Sequence, residues 1–286
     1  MIFIKSIYNE VIKIALKPRS YLGIAAITVL VGVILFALKS DGMSIISFVT
    51  SSFEQTLSFE GNVLNGNLVA FIILQMLIVQ IPLLIALVTG DLVSGEAAMG
   101  TIRMLATKPI SRIQLLLSKF IAGGIYTLIV ILWMGIMSVV VGKLLFGTGD
   151  MMVLNSDGLV ILQEADVNWR YLGGFLVAFL ALFTVSSLSI CLSCFTDNSI
   201  GPIVTTMSII LLFTIIGTLD VHVFDSVRPF LLTTHMASWR SFFEDPLPIQ
   251  DIKNSILILV IHNVLLISIS IYVFNKKGVG SIFRCS

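Results

Sequence analysis

An all-α polytopic membrane protein with six transmembrane helices is the fold class this sequence predicts, on three observations. Hydrophobic residues make up 57% of the chain and charged residues only 12%, with a mean hydropathy of +1.06. Soluble domains carry about twice that share of charge, so a water-soluble fold of this size could not hide so much apolar surface. Uncharged runs lie between Arg19 and Lys39, Glu60 and Asp91, Lys119 and Lys143, Arg170 and Asp197, Asp197 and Asp220, and Lys253 and Lys276. Each meets or exceeds the roughly 18 residues that carry a helix across a hydrocarbon core of about 30 Å. The runs are also continuous, whereas the wall of a membrane barrel alternates with period two.

The first element, residues 1–18, is expected to be an interfacial helix. Ile4, Ile7, Val11, Ile14 and Ala15 recur at helical spacing, while Lys5, Glu10, Lys13 and Lys17 interrupt the segment too often for a secretory signal. A frayed, solvated terminus is the alternative reading. Pro18 then breaks the helix. Spans are expected over 20–38, 68–90, 120–142, 171–192, 199–219 and 254–275, all in one transmembrane domain covering 1–286, with Pro82 kinking the second span. Lysine and arginine before span one, between spans two and three, and after span six account for 11 of the 17 basic residues. The positive-inside rule therefore puts both termini in the cytoplasm, and a bacterial plasma membrane is the expected location. Residues 39–67 and 147–168 read as small outer caps. Residues 221–250 read as an outer re-entrant segment, with Phe224, Phe230, Trp239, Phe242 and Phe243 at headgroup level.

Between spans two and three, residues 93–117 are too polar for lipid contact and too punctuated for a tether. Ser94 is expected to cap a helix whose first turn holds Glu96, where a carboxylate favours the positive end of the dipole. Gly100 is expected to allow close backbone approach, Pro109 to force a break, and Ser111 to cap the helix that becomes span three. A short cytosolic helix held between two membrane helices suits the transmission of force from a soluble partner into the bilayer.

At these residues the sequence resembles the permease subunits of the type 2 ABC exporter family. That family carries Gly-Glu, then Gly-Thr and a basic residue, a short apolar stretch, a Pro, and a Ser or Thr with Arg. Here the corresponding positions are Gly95, Glu96, Gly100, Thr101, Arg103, Pro109, Ser111 and Arg112. A second acidic residue that often flanks Glu96 in the family is absent. The resemblance implies a permease that pairs with a second copy or a homologue and forms the substrate pathway as a dimer. It also implies two copies of a separate ATPase subunit, which push on a coupling helix between spans two and three. ATP and magnesium are expected on that ATPase. This chain is expected to bind no cofactor and to be no enzyme, since it has no G-x-x-x-x-G-K-[ST] phosphate loop. Replacing Glu96 or Arg103 is expected to uncouple hydrolysis from transport while leaving folding intact.

Polar groups inside spans are costly unless they face protein or water. Gln75 and Gln80 in span two and Thr205, Thr206 and Ser208 in span five are the candidate lining of a substrate pathway, in agreement with the family's use of those spans. Hydroxyls that bond their own helix, and amides that glue neighbouring helices, are the competing reading. His262 and Asn263 are read the same way, and His262 has no carboxylate beside it in its span. No metal site is expected: Cys191 and Cys194 form a lone C-x-x-C, and Asp220, His222 and Asp225 mark the end of a span. No hydrolytic signature is present, and a net charge of +1 gives no reason to expect a nucleic-acid partner. Alternatives to export are a membrane-embedded enzyme acting on lipid or peptide, and a non-transporting sensor or immunity scaffold.

Overall fold

The computed structural model describes residues 2–50, 64–77, 80–101, 110–155, 158–219 and 221–276. In chain order the helices are α1 (Ile2–Leu16), α2 (Pro18–Thr50), α3 (Gly66–Leu77), α4 (Gln80–Thr89) and α5 (Asp91–Ala98). They continue with α6 (Arg112–Gly135) and, after a π turn over Ile136–Val140, α7 (Val141–Phe146). An antiparallel hairpin of β1 (Met151–Asn155) and β2 (Gly158–Leu162) follows, then α8 (Glu164–Ser193), α9 (Ile200–Thr218), α10 (Leu232–Met236) and α11 (Ile249–Lys276).

Six helices among the described residues are long and apolar enough to cross a membrane: Pro18–Gly42, Gln80–Ala98, Arg112–Phe146, Glu164–Ser193, Ile200–Thr218 and Ile249–Lys276. Charge does not end a helix as early as the spacing of charged residues predicts. The third and fourth begin at Arg112 and Glu164 rather than at 120 and 171, because a charged first turn is solvated and still helical. The expected second span covers parts of α3 and α4, with residues 78 and 79 outside the described ones. Pro82 lies in α4, which is described from Gln80 onward.

α8 is the axis of the bundle, touching α4, α5, α6, α9, α10, α11 and the 3-10 segment Ala237–Phe243. Toward α11 it is tied by Asn263, whose amide donates to Thr184 Oγ1 (2.6 Å) and to Leu259 O (2.9 Å) and accepts from Ser187 Oγ (2.8 Å). Asn263 is thus packing glue. His262 bonds Ile258 O of its own helix, 2.8 Å from Nδ1.

The outer segment departs from expectation. Trp239 and Phe243, expected at headgroup level, point inward and join Phe71 and Tyr171 in an aromatic cluster with ring centroids 4.9–6.0 Å apart. Phe230 remains exposed. Two glycines make this docking possible, since a Cβ at Gly173 would run into the Phe242 ring and one at Gly174 would lie 3.4 Å from Trp239 O. Arg170 then fixes the segment by donating to Phe242 O (3.0 Å) and Glu244 O (2.8 Å). The hairpin within 147–168 is likewise more ordered than a cap defined by length alone: Met151, Val153 and Leu162 are buried beneath it. Asn65 and Asn67 hold its entry loop by donating to Asp150 O (2.5 Å) and Gly149 O (2.7 Å).

Gly66 brings α3 against α7, because a Cβ there would fall 2.6 Å from Lys143 N and 2.7 Å from Gly142 C. Backbone cannot rotate aside as a side chain can. Gly66→Ala is therefore expected to destabilise the fold by about 1–3 kcal/mol, read as a lower unfolding midpoint in detergent. Gly32→Ala, at a helical glycine with nothing within 4 Å of the added Cβ, should leave the midpoint unchanged or raise it.

Candidate functional site

The charged residues that interrupt the apolar pattern at one end of the bundle converge. Lys119, seven residues into α6, is 1% exposed and places its ammonium between two carboxylates, 2.8 Å from Glu10 Oε2 on α1 and 2.7 Å from Glu96 Oε2 on α5. Lys13 on α1 closes the circuit, 2.5 Å from Glu10 Oε1 and 2.8 Å from Glu96 Oε1. Each carboxylate accepts from both ammonium groups, and each ammonium serves both carboxylates. The ring is neutral overall, and Lys119 spends its remaining proton on Leu92 O at 2.8 Å. A buried cation with three donors needs three acceptors, and here it has them.

A second cluster lies beside the ring. Asp91, at the start of α5, accepts from Lys17 Nζ at 2.7 Å, with Arg19 NH1 3.5 Å from its other oxygen. Its carboxylate folds back over Gly95, where any Cβ would collide with Asp91 Oδ1. The glycine of the Gly-Glu pair thus leaves room for the acid one helical turn before it. Ser193, the last residue of α8, completes the clasp: its hydroxyl receives Ser94 N–H (2.8 Å) and Val93 N–H (3.3 Å) and donates to Gly90 O (2.6 Å). Gly90 itself has helical dihedrals and bonds Ala86 O, so α4 runs into α5 with little interruption.

Several expectations for this segment change. Ser94 is not the N-cap, since the helix starts earlier, at Asp91, and Ser94 Oγ bonds back to Gly90 O at 2.9 Å. Among the described residues nothing lies within 4 Å of a Cβ added at Gly100, and its φ of +69° closes the helix in the left-handed conformation that glycine favours. Glu96 is buried in the ring, so its replacement is expected to affect folding, contrary to the expectation from sequence. Thr101 Oγ1 bonds Glu96 O at 3.2 Å. Ser111 caps α6 by accepting Gln114 N–H at 3.2 Å, and Arg112 is exposed. Arg103 and Pro109 lie outside the described residues, so the structure brings together Gly95, Glu96 and, at the segment's tip, Gly100 and Thr101.

The expected pathway residues are not gathered into one polar site. Thr205, Thr206 and Ser208 bond the carbonyls of Gly201, Pro202 and Val204 four residues back on α9, at 2.6–2.9 Å. Gln75 is half-buried on α3 and Gln80 exposed on α4, which packs against α9. Among the described residues no group of three or more His, Cys, Asp and Glu could hold a metal, and Asp220 lies outside them. Sequence reasoning missed the convergence of Glu10, Lys13, Lys119, Asp91 and Lys17 because it read them as breaks in apolar runs or as topology charges. The available signal was Lys119 itself, a charge placed against an apolar run and matched by an acid and a base one turn apart on an amphipathic helix.

The ring shifts Lys13. Burial pulls its ammonium down, but the carboxylates of Glu10 and Glu96 raise it by more, leaving it above the ordinary value of 10.5.

Compared with known proteins, the chain matches the family described as "Protein of unknown function (DUF2705)" over residues 25–279 and belongs to that family. Over 83 residues it is 35% identical to the uncharacterized protein YhcI of Bacillus subtilis (strain 168), a stretch covering 27% of this chain and 26% of that protein. The chain therefore spans about a quarter of the length of the curated relative it matches.

Removing one member of a buried ion pair leaves an uncompensated charge, so Lys119→Met is expected to cost about 3–5 kcal/mol. Lys119→Met with Glu96→Gln keeps the neutral Glu10–Lys13 pair, and its cost should fall well short of the sum of the two single changes in a thermal-unfolding cycle. A group whose pKa is raised on folding contributes stability below its unfolded value and loses it as pH climbs through the folded one. The difference in unfolding midpoint between the wild type and Lys13→Met should therefore hold from neutrality to about pH 10.5 and shrink above it.

Proposed function

We propose that this chain is the membrane permease subunit of an ATP-driven exporter of the type 2 ABC kind, pairing with a second permease and worked by two copies of a separate ATPase. One observation carries the reading. Gly95 and Glu96 fall on an eight-residue helix that continues α4 almost without break, is clamped to α1, α6 and α8, and leaves only its tip exposed, with Gly100 and Thr101 just past that tip. That is the construction expected of a coupling helix: stiff along its length, anchored at its root and open at the end where a soluble motor would press.

α1 fits the interfacial role in this scheme. Ser6, Glu10 and Ile14 face the bundle, whereas Ile4, Tyr8, Ile12 and Leu16 face outward. Ile14 thus leaves the expected lipid-facing set, and an outward apolar sector bordered by Lys5 remains, suited to the boundary between headgroups and acyl chains. Because Glu10 and Lys13 lie on its other face, α1 moves with α5. Cytoplasmic placement of this end agrees with its concentration of Lys and Arg. ATP-driven closure of the motor subunits would push the tip, tilt the α4–α5 rod about the ring, and shift the second span against α8 and α9.

The exposed tip separates partner contact from folding. Met99 is 65% exposed and belongs to neither charge cluster. Met99→Asp is expected to leave the unfolding midpoint unchanged yet abolish copurification, in mild detergent, of a stoichiometric chain that carries a phosphate loop and hydrolyses ATP. Retention of that chain by the variant, or its absence from the wild-type complex, overturns the reading.

A further inference from the structure

At the end of the bundle away from the ion ring, two arginines stand without an acid. Arg170, in the second turn of α8, is buried and donates from Nη1 alone, to Phe242 O and Glu244 O. The other edge of its guanidinium, where Nε–H and an Nη2–H lie parallel, has no partner among the described residues. Asp166, one turn earlier on α8, accepts instead from Trp169 Nε1 at 3.4 Å. Arg240, on the 3-10 segment Ala237–Phe243, makes no hydrogen bond or ion pair among the described residues, and its Nε is buried. Burial with no facing carboxylate pulls its pKa below the ordinary arginine value. The segment carries Arg240 to the same stretch of α8, since Arg170 holds the carbonyl of Phe242 and Trp239 O packs on Gly174.

We propose that these two arginines hold the phosphodiester of one bilayer phospholipid. A guanidinium edge with two parallel donors matches two oxygens of a single phosphate, and the pairing answers a charge that the protein leaves uncompensated. A buried cation without an anion is costly, and an anion must therefore come from outside the chain.

The surface beside the site selects a lipid as that source. The half-exposed Trp169 ring lies 5.4 Å from Arg170 Cζ, and Leu172 and Leu176, both exposed, continue its face of α8 toward the middle of the bundle. An indole at headgroup level followed by exposed leucines suits a phosphate above and an acyl chain below. Length agrees. From Ser193, beside the charged clusters, back to Arg170, α8 covers 23 residues, about 35 Å at about 1.5 Å per residue against about 30 Å of hydrocarbon. With Ser193 at one edge of the apolar layer, Arg170 stands just past the other, where phosphates lie. A free anion would meet the same donors but gain nothing from the apolar face. Nothing in this reasoning depends on transport; the lipid would bind equally to a scaffold or an enzyme.

Native mass spectrometry of the full chain in detergent, titrated with phosphatidylglycerol or with diacylglycerol of the same acyl chains, tests the site. The first phosphatidylglycerol is expected to bind about tenfold more tightly or better, the worth of one charge-assisted hydrogen bond. That advantage should largely vanish in Arg170→Lys, which keeps a cation for the two carbonyls but lacks the parallel edge. It should shrink in Arg240→Gln, which removes no hydrogen bond of the fold and should keep the parent's unfolding midpoint. Lys253→Gln, the same loss of charge at an exposed position near the start of α11, should leave the advantage intact, and millimolar inorganic phosphate should not displace the lipid. Equal binding of the two lipids, an advantage undiminished in either folded arginine variant, an equal loss in Lys253→Gln, or displacement by inorganic phosphate overturns the proposal.

Discussion

A lysine with almost no exposed surface, held between two carboxylates from distant parts of the chain, is the constraint on which one end of this bundle depends. Burying one such charge alone is prohibitive, so the four charges of the ring are acceptable only together. Fixing Lys119 on α6 requires Glu10 to face inward, which sets the rotation of α1 about its axis. It also requires Glu96 to face inward, which sets the rotation of α5 and, through Gly90, of α4. Three elements separated by as many as 109 residues in sequence thereby lose their freedom to roll independently.

The opposite end is held by different physics. There the contacts are aromatic edges, glycine-permitted close approaches and the two carbonyls bound by Arg170, and they form around α8 rather than α6. Apolar packing tolerates sliding and adaptive refilling, whereas a closed ion ring is satisfied in one geometry only. The bundle is therefore stiff where the chain's basic residues gather and more adaptable where the hairpin and outer segment cover it.

What could be read in the sequence follows this division. The six apolar helices were legible because continuous uncharged runs of that length have few other physical uses, and Ser111 was legible as a cap because its hydroxyl precedes a clear helix start. The ring was not legible as a ring. Glu10, Lys13, Glu96 and Lys119 each carry a local meaning as breaks in hydrophobic stretches or as topology charges, and nothing local states that they meet. Gly95 and Gly100 were recognisable as special, but the Asp91 carboxylate beside one and the positive φ of the other exist only in the folded chain. Trp239 and Phe243 were misplaced because an aromatic near a span end suits an interface and an interior equally well; Gly173 and Gly174 decide between them, and their role exists only once α8 and the outer segment are side by side.

The short α5 shows why the clamp matters for any mechanical role. An isolated helix of eight residues is not stable in water, because nucleation outweighs the few bonds it forms. Here its rigidity is borrowed. Asp91 is held by Lys17 and Arg19, the backbone of Val93 and Ser94 by Ser193, the carbonyl of Leu92 by Lys119, and Glu96 by both lysines of the ring. Those contacts engage five of its eight residues and leave Ala98, with Met99 and Gly100 beyond it, exposed. A force applied at that tip cannot be absorbed by local unwinding without breaking buried ion pairs, so it passes into α1, α4 and α6 as a unit. The same clamp that makes the segment foldable makes it stiff.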